Sequence, residues 1–249
     1  MKLDKIIAVR TAKTLYRDGN LAIKVFNEDF SKSDVLNEAL NQSRVENTLL
    51  NVPQIHEVAK IDGKWAIVSD YIDGKTLTRL IEEEPSKKSA LIAQMADIQL
   101  EINRQKVAKL NKHSEKMREK IDACGLNATV RYELLTRLRS LRNDEVLCHG
   151  DLTLSNIIID NDGKPFIIDW SHATQGSAAA DTARAYLRFR LAGYIDEADE
   201  YLDIYCEKAN TPKQVIHKWF PIVAATQLAK GLETEYEFLS EWANVVEYE

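Results

Sequence analysis

The stretch CHGDLTLSNIIIDNDGKPFIIDW, residues 148–170, sets an aspartate, an asparagine and a second aspartate against two apolar runs. Taken as strands, NIIID and FIIDW are joined by NDGKP, whose Asp162-Gly163 pair supplies a hairpin turn. Folding one run back on the other brings Asn156, at the entry of the first, near Asp169, at the exit of the second. Asp151 projects from the loop just before them. The spacing thus predicts two hard oxygen ligands and a third carboxylate at one cleft. Such a set suits Mg2+, which takes few protein ligands and completes its shell with water and phosphate oxygens.

The elements that must position these groups fall into two kinds, divided near Gly74. Before it, KIIAV, TLYRD, NLAIKVF, IHEVAKID and KWAIVSDY are short, rich in Val, Ile and aromatics, and partly separated by the turn pairs Asp18-Gly19 and Asp62-Gly63. One helix is expected among them, from Ser33 as N-cap to about Thr48, on the apolar set Val35, Leu36, Ala39, Leu40 and Val45. After Gly74 the periodicity is mostly helical. Leu91, Ile92, Met95, Ile98 and Ile102 mark one stripe and Leu134, Leu135 and Leu138 another. Ala180 to Leu191, Ile195 to Glu207 and Pro212 to the C-terminus give more. The expected division is 1–73, a β-rich lobe with one helix, and 74–249, a larger helical lobe.

Composition narrows the function classes. The 249 residues are 45% hydrophobic and 29% charged, as in ordinary globular proteins. No apolar run approaches the roughly 18 residues of a membrane span, and MKLDKIIAVR lacks a signal peptide's pattern, so a cytoplasmic protein is expected. The net charge of −6 argues against an electrostatic grip on nucleic acid. Residues 1–70 hold ten basic and ten acidic side chains, leaving 23 against 29 beyond them, so the whole acidic excess follows Asp70. Cys124, Cys148 and Cys206 form no CxxC pair and read as buried thiols.

His149-Gly150-Asp151, then Asn156, then Ile168-Asp169-Trp170 resemble the catalytic core of the aminoglycoside phosphotransferase-like kinases, a branch of the protein-kinase-like fold. The gap from Asp151 to Asn156 equals that in the protein-kinase motif H-R-D-L-x-x-x-N, which a D-F-G segment follows. The resemblance spans the chain. LAIKVF is similar to the strand bearing a phosphate-binding lysine, NEALNQSRVE to the helix bearing its glutamate, and IVSDYIDGKTL to the hinge. The ATQGSAAADTAR segment matches the part after the metal aspartate, where Asp181 braces the catalytic loop.

The resemblance implies an α+β, bilobal kinase fold and transfer of the γ-phosphoryl group of ATP, with Mg2+, to a small-molecule hydroxyl. It implies Asp151 as the catalytic group orienting that hydroxyl and Asn156 and Asp169 as metal ligands. Lys24 would bind the α- and β-phosphates, held by Glu38, with Glu46 the other candidate; Lys24 also reads as a solvated strand lysine. The Asp70 carbonyl and Ile72 amide would meet adenine. His149 would be structural. Where the family carries a glycine-rich phosphate loop, AVRTAKTLY has no glycine, and Thr11, Ala12 and Lys13 stand there instead. Ser177-Ala178 replaces a frequent Asp-Pro.

The expected partner is a small-molecule hydroxyl acceptor, with neither nucleic acid nor membrane; the oligomeric state stays open. Glu233, Glu235, Tyr236, Glu237, Glu241 and Trp242 read either as a wall for a cationic acceptor, an amino sugar or a choline-like alcohol, or as an ordinary solvated helix. The basic run Lys106 to Lys120 reads as a solvated helical face. Too few residues separate Asp169 from Asp181 for a peptide-docking activation loop. A compact protein kinase and a nucleotide-binding pseudokinase remain as alternatives.

Overall fold

The computed structural model describes residues 3, 5–142 and 144–244. In chain order the elements are β1 (Lys5–Val9), β2 (Lys13–Asp18), β3 (Leu21–Phe26), α1 (Lys32–Val45), β4 (Ile55–Ile61), β5 (Lys64–Asp70), β6 (Gly74–Thr76), α2 (Leu77–Glu83), α3 (Lys88–Arg104), α4 (His113–Ala123) and α5 (Ala128–Ser140). They continue with β7 (Val146–Cys148), β8 (Ile157–Asp160), β9 (Pro165–Ile167), β10 (Thr174–Gly176), α6 (Ala178–Leu191), α7 (Ile195–Lys208), α8 (Lys213–His217), α9 (Phe220–Leu228) and α10 (Glu233–Ala243). Two compact units result. One joins the described residues up to Pro85 with Leu154–Ala173; the other joins Ser86–Thr153 with the described residues from Thr174.

The first unit is built on an antiparallel sheet in the order β1-β2-β3-β5-β4. Because side chains alternate along a strand, Ile23 and Val25 of β3 share one face with Ala66 and Val68 of β5, packed against Tyr16, Leu21 and Ile61. The other face carries Phe26 and Ile67 against Val35 and Ala39 of α1. Lys24 lies on that second face by the same alternation, so the strand period aims it toward α1. A second sheet, β6-β8-β9, contains the expected hairpin, with Ile157 opposite Ile167 and Gly163 at a φ of 82° in the turn.

The second unit is mostly helical. Helix α3 packs on α7, and α9 packs against α4, α6 and α10, while β7 and β10 form a short antiparallel pair. The stripe Leu91, Ile92, Met95, Ile98 and Ile102 is buried along α3, as its spacing requires. No described helix is long and apolar enough to cross a membrane.

Several expectations need correction. The boundary drawn at Gly74 falls inside the first unit, because Gly74–Thr76 pair with Ile158–Asp160, and the hairpin 154–173 also belongs there. The cap of α1 is Ser31, not Ser33: Ser31 is extended and its Oγ accepts from the Asp34 amide at 3.1 Å. Leu36 and Leu40 are exposed rather than inward. The inward face carries polar side chains instead, with Gln42 Nε2 donating to the Pro53 carbonyl at 2.7 Å and Asn41 Nδ2 to the Ser171 carbonyl at 3.2 Å. The basic run is not one helical face, since α4 begins only at His113 and Lys116 and Lys120 are half-buried. The expected C-terminal helix is three helices, α8 to α10, and its last residues, 245–249, lie outside the described residues.

The tight approach of β6 to β8 yields a test. A Cβ added at Gly74 would stand 2.2 Å from the Ile159 carbonyl oxygen, a backbone atom that cannot swing aside. Gly74→Ala should therefore destabilise the protein by about 1–3 kcal/mol, the range for overpacking. A lower urea midpoint at unchanged slope is the expected result. An unchanged midpoint would mean the strand shifts freely.

Candidate active site

Lys24 leaves β3 toward α1 and its Nζ lies 2.5 Å from Glu38 Oε1. Glu38 is buried at 5% exposure. A second ammonium joins them: Lys13, the first residue of β2, has its Nζ 3.3 Å from both carboxylate oxygens of Asp169 and 3.8 Å from Glu38 Oε1. Lys24 is itself 3.6 Å from Asp169 Oδ1. Two ammoniums thus face two carboxylates. Burial works against the charge of Lys24, yet Asp169 and Glu38 together outweigh it and hold its pKa above the ordinary lysine value. The solvated-strand reading of Lys24 does not hold. Glu46 is engaged elsewhere, accepting from the Ile55 amide at 2.9 Å.

Asp169 sits in the left-handed region, φ 64° and ψ 60°, just beyond β9. Ser171 Oγ donates to its Oδ1 at 3.2 Å. The Ile168 amide donates to the Asn156 carbonyl at 2.9 Å, so the hairpin sets Asn156 opposite the residue before Asp169. The pair fits a magnesium ion in chemistry and charge. Asp169 is a hard-oxygen donor that already draws two cations to its carboxylate, and its side chain is 30% exposed. Among the described residues no cluster of three or more His, Cys, Asp or Glu forms a fuller metal cage.

The glycine-free turn is organised by a residue sequence reasoning missed. Asn27 Nδ2 donates to the Thr11 carbonyl at 2.9 Å and the Asn27 amide to the Ala12 carbonyl at 3.0 Å, while the Arg10 amide closes on the Lys13 carbonyl. A polar residue directly after β3 was the available signal. Asp70 ends β5, and Ile72 follows in the connection to β6. The Asp70 side chain is committed, with Oδ1 2.7 Å from His56 Nε2 and Oδ2 accepting from the Gln54 amide.

In the second unit Asp181 accepts from the His149 amide at 2.9 Å, the Gly150 amide at 2.8 Å and Gln99 Nε2 at 2.8 Å. It braces the loop before Asp151, as the resemblance implies. The ring of His149 is fully buried and its Nδ1 accepts from the Asp151 amide at 3.3 Å. Asp151 Oδ1 is 3.2 Å from Arg188 Nε. Arg188 was not singled out from the sequence, although Arg184 and Arg188 stand one helical turn apart in ARAYLRFR. The Ser177-Ala178 departure is local, with the Ser177 carbonyl accepting from the Asp181 amide at 3.1 Å.

The acidic C-terminal helix divides its roles. Glu235 accepts from Gln227 Nε2 at 2.7 Å. Glu237 and Glu241 border a hollow of about 780 Å³ facing the start of α5. Trp242 stacks on Phe220, itself stacked on Tyr186, and Arg190 lies over both Trp242 and Tyr186. Trp242 already has a cation on its face. Cys124, Cys148 and Cys206 are buried free thiols, as expected.

The fold has close relatives among solved structures. Aminoglycoside phosphotransferase APH(4)-Ia superposes with a TM-score of 0.69 at 16% identity, covering 96% of this chain and 89% of that one. A thermostable mutant of it, in a ternary complex with AMP-PNP and hygromycin B, gives 0.69 at 14% over 96% and 89%. Choline kinase LicA from Streptococcus pneumoniae gives 0.65 at 15% identity over 97% and 92%. At such identities the likeness speaks to the fold, a kinase-like one with a β-sheet N-lobe and a helical C-lobe. No curated protein matches in sequence. The model of the phosphotransferase enzyme family matches residues 13–215, which takes in the lysine strand, the His149-Gly150-Asp151 loop and Asp169, and the chain belongs to that family.

Proposed function

We propose that the protein transfers the γ-phosphoryl group of ATP, as its magnesium complex, to a hydroxyl of a small molecule. The observation that carries the reading is the four-membered charge cluster of Lys13, Lys24, Glu38 and Asp169 in a chain of the phosphotransferase family. A buried carboxylate holding one lysine, beside a second carboxylate available to a metal, is the arrangement phosphoryl transfer needs.

Each residue then has a task. Lys24, oriented by Glu38, contacts the α- and β-phosphates. Thr11 and Ala12 lie along the triphosphate, their turn held by Asn27. The Asp70 carbonyl and the Ile72 amide meet the adenine edge. Asn156 and Asp169 hold magnesium, which when bound neutralises charge on the β- and γ-oxygens. Asp151 accepts or orients the acceptor's hydroxyl proton while that oxygen attacks phosphorus in line, a step in which positioning and charge neutralisation do most of the catalysis. Asp181 fixes the backbone that carries Asp151.

A second reading, a nucleotide-binding module without turnover, draws on one observation. Lys13 sits on both oxygens of Asp169, and its turn lacks the glycines that let amides approach phosphate. An ATP-consumption assay coupled to a panel of amino sugars, cholines, sugars and nucleosides separates the two. The kinase reading expects acceptor-dependent ADP release; nucleotide binding with no release for any acceptor would favour the module.

Two variants test the assignments. Asp151→Asn should lower turnover by roughly 10²–10⁴ with nucleotide affinity nearly unchanged. Retained phosphotransfer would remove Asp151 from the reaction. Asp169→Ala should weaken binding of magnesium-ATP much more than binding of metal-free ATP, because only the former loses a ligand. Equal losses in calorimetric titrations with and without magnesium would make Asp169 a structural residue.

A further inference from the structure

The group around Asp151 has the wrong charge for a cationic acceptor. Arg184 and Arg188 lie four residues apart on α6, on the same side. Arg188 Nε stands 3.2 Å from Asp151 Oδ1. Arg184 is 6% exposed, and its Nε has no hydrogen-bond partner among the described residues. Helix α9 packs on both α4 and α6, and Lys120, in the last turn of α4, and Lys230, just beyond α9, each feel the charges of Arg184 and Asp151.

Burial first, and the neighbouring cations after it, lower the proton affinity of Arg184, Lys120 and Lys230. Burial lowers Arg184, and Arg188 lowers it further. Burial lowers Lys120, with Arg184 and Lys116 adding to it. Lys230 has an exposed side chain but is crowded by protein, and this desolvation, with Arg184, Arg188 and Lys120, brings it to about 8. Asp151 opposes the trend at all three. The other acids in reach are Glu235, which acts on Arg184, and Asp181, whose oxygens are taken by two amides. Burial is the largest cause at all three, and the neighbouring cations add to it.

We propose that the acceptor alcohol bears an anionic group, a phosphate or carboxylate, received by Arg184, Arg188, Lys120 and Lys230 beside Asp151. Acceptor oxygens would meet the buried guanidinium N–H and the positive charge together, in the forked geometry that favours arginine. An ammonium at this place would add a fifth positive charge. The anion would also draw Arg188 from Asp151, leaving that carboxylate to the hydroxyl. Glu237 and Glu241 border the hollow beside α5, whose lining includes none of these four cations. The acceptor role rests on the kinase reading of Asp151; anion binding does not.

The first measurement is calorimetric titration of inorganic phosphate into nucleotide-free protein. Binding is expected, weakened roughly tenfold or more by R184M or R188M, the loss of one charge-assisted contact. Because Arg184 is buried, K230M supplies a variant at an exposed side chain whose folding is not at stake; it should weaken binding severalfold, while the remote K208M should not. The absence of binding, or equal affinity in all four variants, would overturn the site. The second measurement is ADP release with alcohols in three charge classes. Turnover best with an anionic alcohol, its KM raised by K230M at unchanged kcat, supports the proposal. A cationic or neutral best acceptor would overturn it and leave the kinase reading standing. No turnover in any class, with phosphate binding intact, would instead overturn the kinase reading and the acceptor role with it.

Discussion

A carboxylate buried without a partner is too costly to persist, and Glu38 is almost wholly buried. Its pairing with Lys24 is therefore a condition on how α1 seats against the sheet, since the helix must place Glu38 over the strand face that carries Lys24. The polar lining of α1 follows from the same demand. Asn41 and Gln42 spend their amides on the Ser171 and Pro53 carbonyls, tying the helix to the segment after Asp169 and to the turn before β4. Charge satisfaction thus fixes the geometry of Lys24 and the surroundings of Asp169 in one stroke.

The second unit solves a related problem differently. Asp181, 1% exposed, is met by the His149 and Gly150 backbone and by Gln99. Held by these donors, Asp181 dictates the path of the loop. Asp151 then leaves a backbone with little freedom, next to a group of cations that its own charge only partly offsets. The two aspartates differ in their surroundings, one met by backbone and amide dipoles and the other by charged side chains.

Much of this was legible in the chain itself. The strands from KIIAV to KWAIVSDY agree with β1 to β5 to within a residue or so at their ends, because alternation and turn pairs are local properties. The hairpin, which sets Asn156 opposite Ile168, follows from its turn and register, and Lys24 with Glu38 from a family motif. Three features were not legible. Leu36 and Leu40 looked inward because helical spacing says nothing about which of two stripes meets the sheet; the need to bury Glu38 decided it. The hairpin 154–173 joins the first unit through tertiary pairing with Gly74–Thr76, which no composition shift announces. The basic groups around Asp151 come from three helices distant in sequence, so net charge, which is acidic overall, concealed a local excess of the opposite sign.

All three cysteines, Cys124, Cys148 and Cys206, are buried in the second unit, and the first contains none. Burial pushes the Cys148 and Cys206 thiols above their usual range, so little of the reactive thiolate is present in the folded state. Thiol labelling therefore clocks the opening of one unit only, with the other silent. Tryptophans are found in both, Trp65 and Trp170 in the first and Trp219 and Trp242 in the second. Comparing alkylation rates with loss of indole fluorescence distinguishes a chain that melts as one cooperative body from one whose helical half opens by itself.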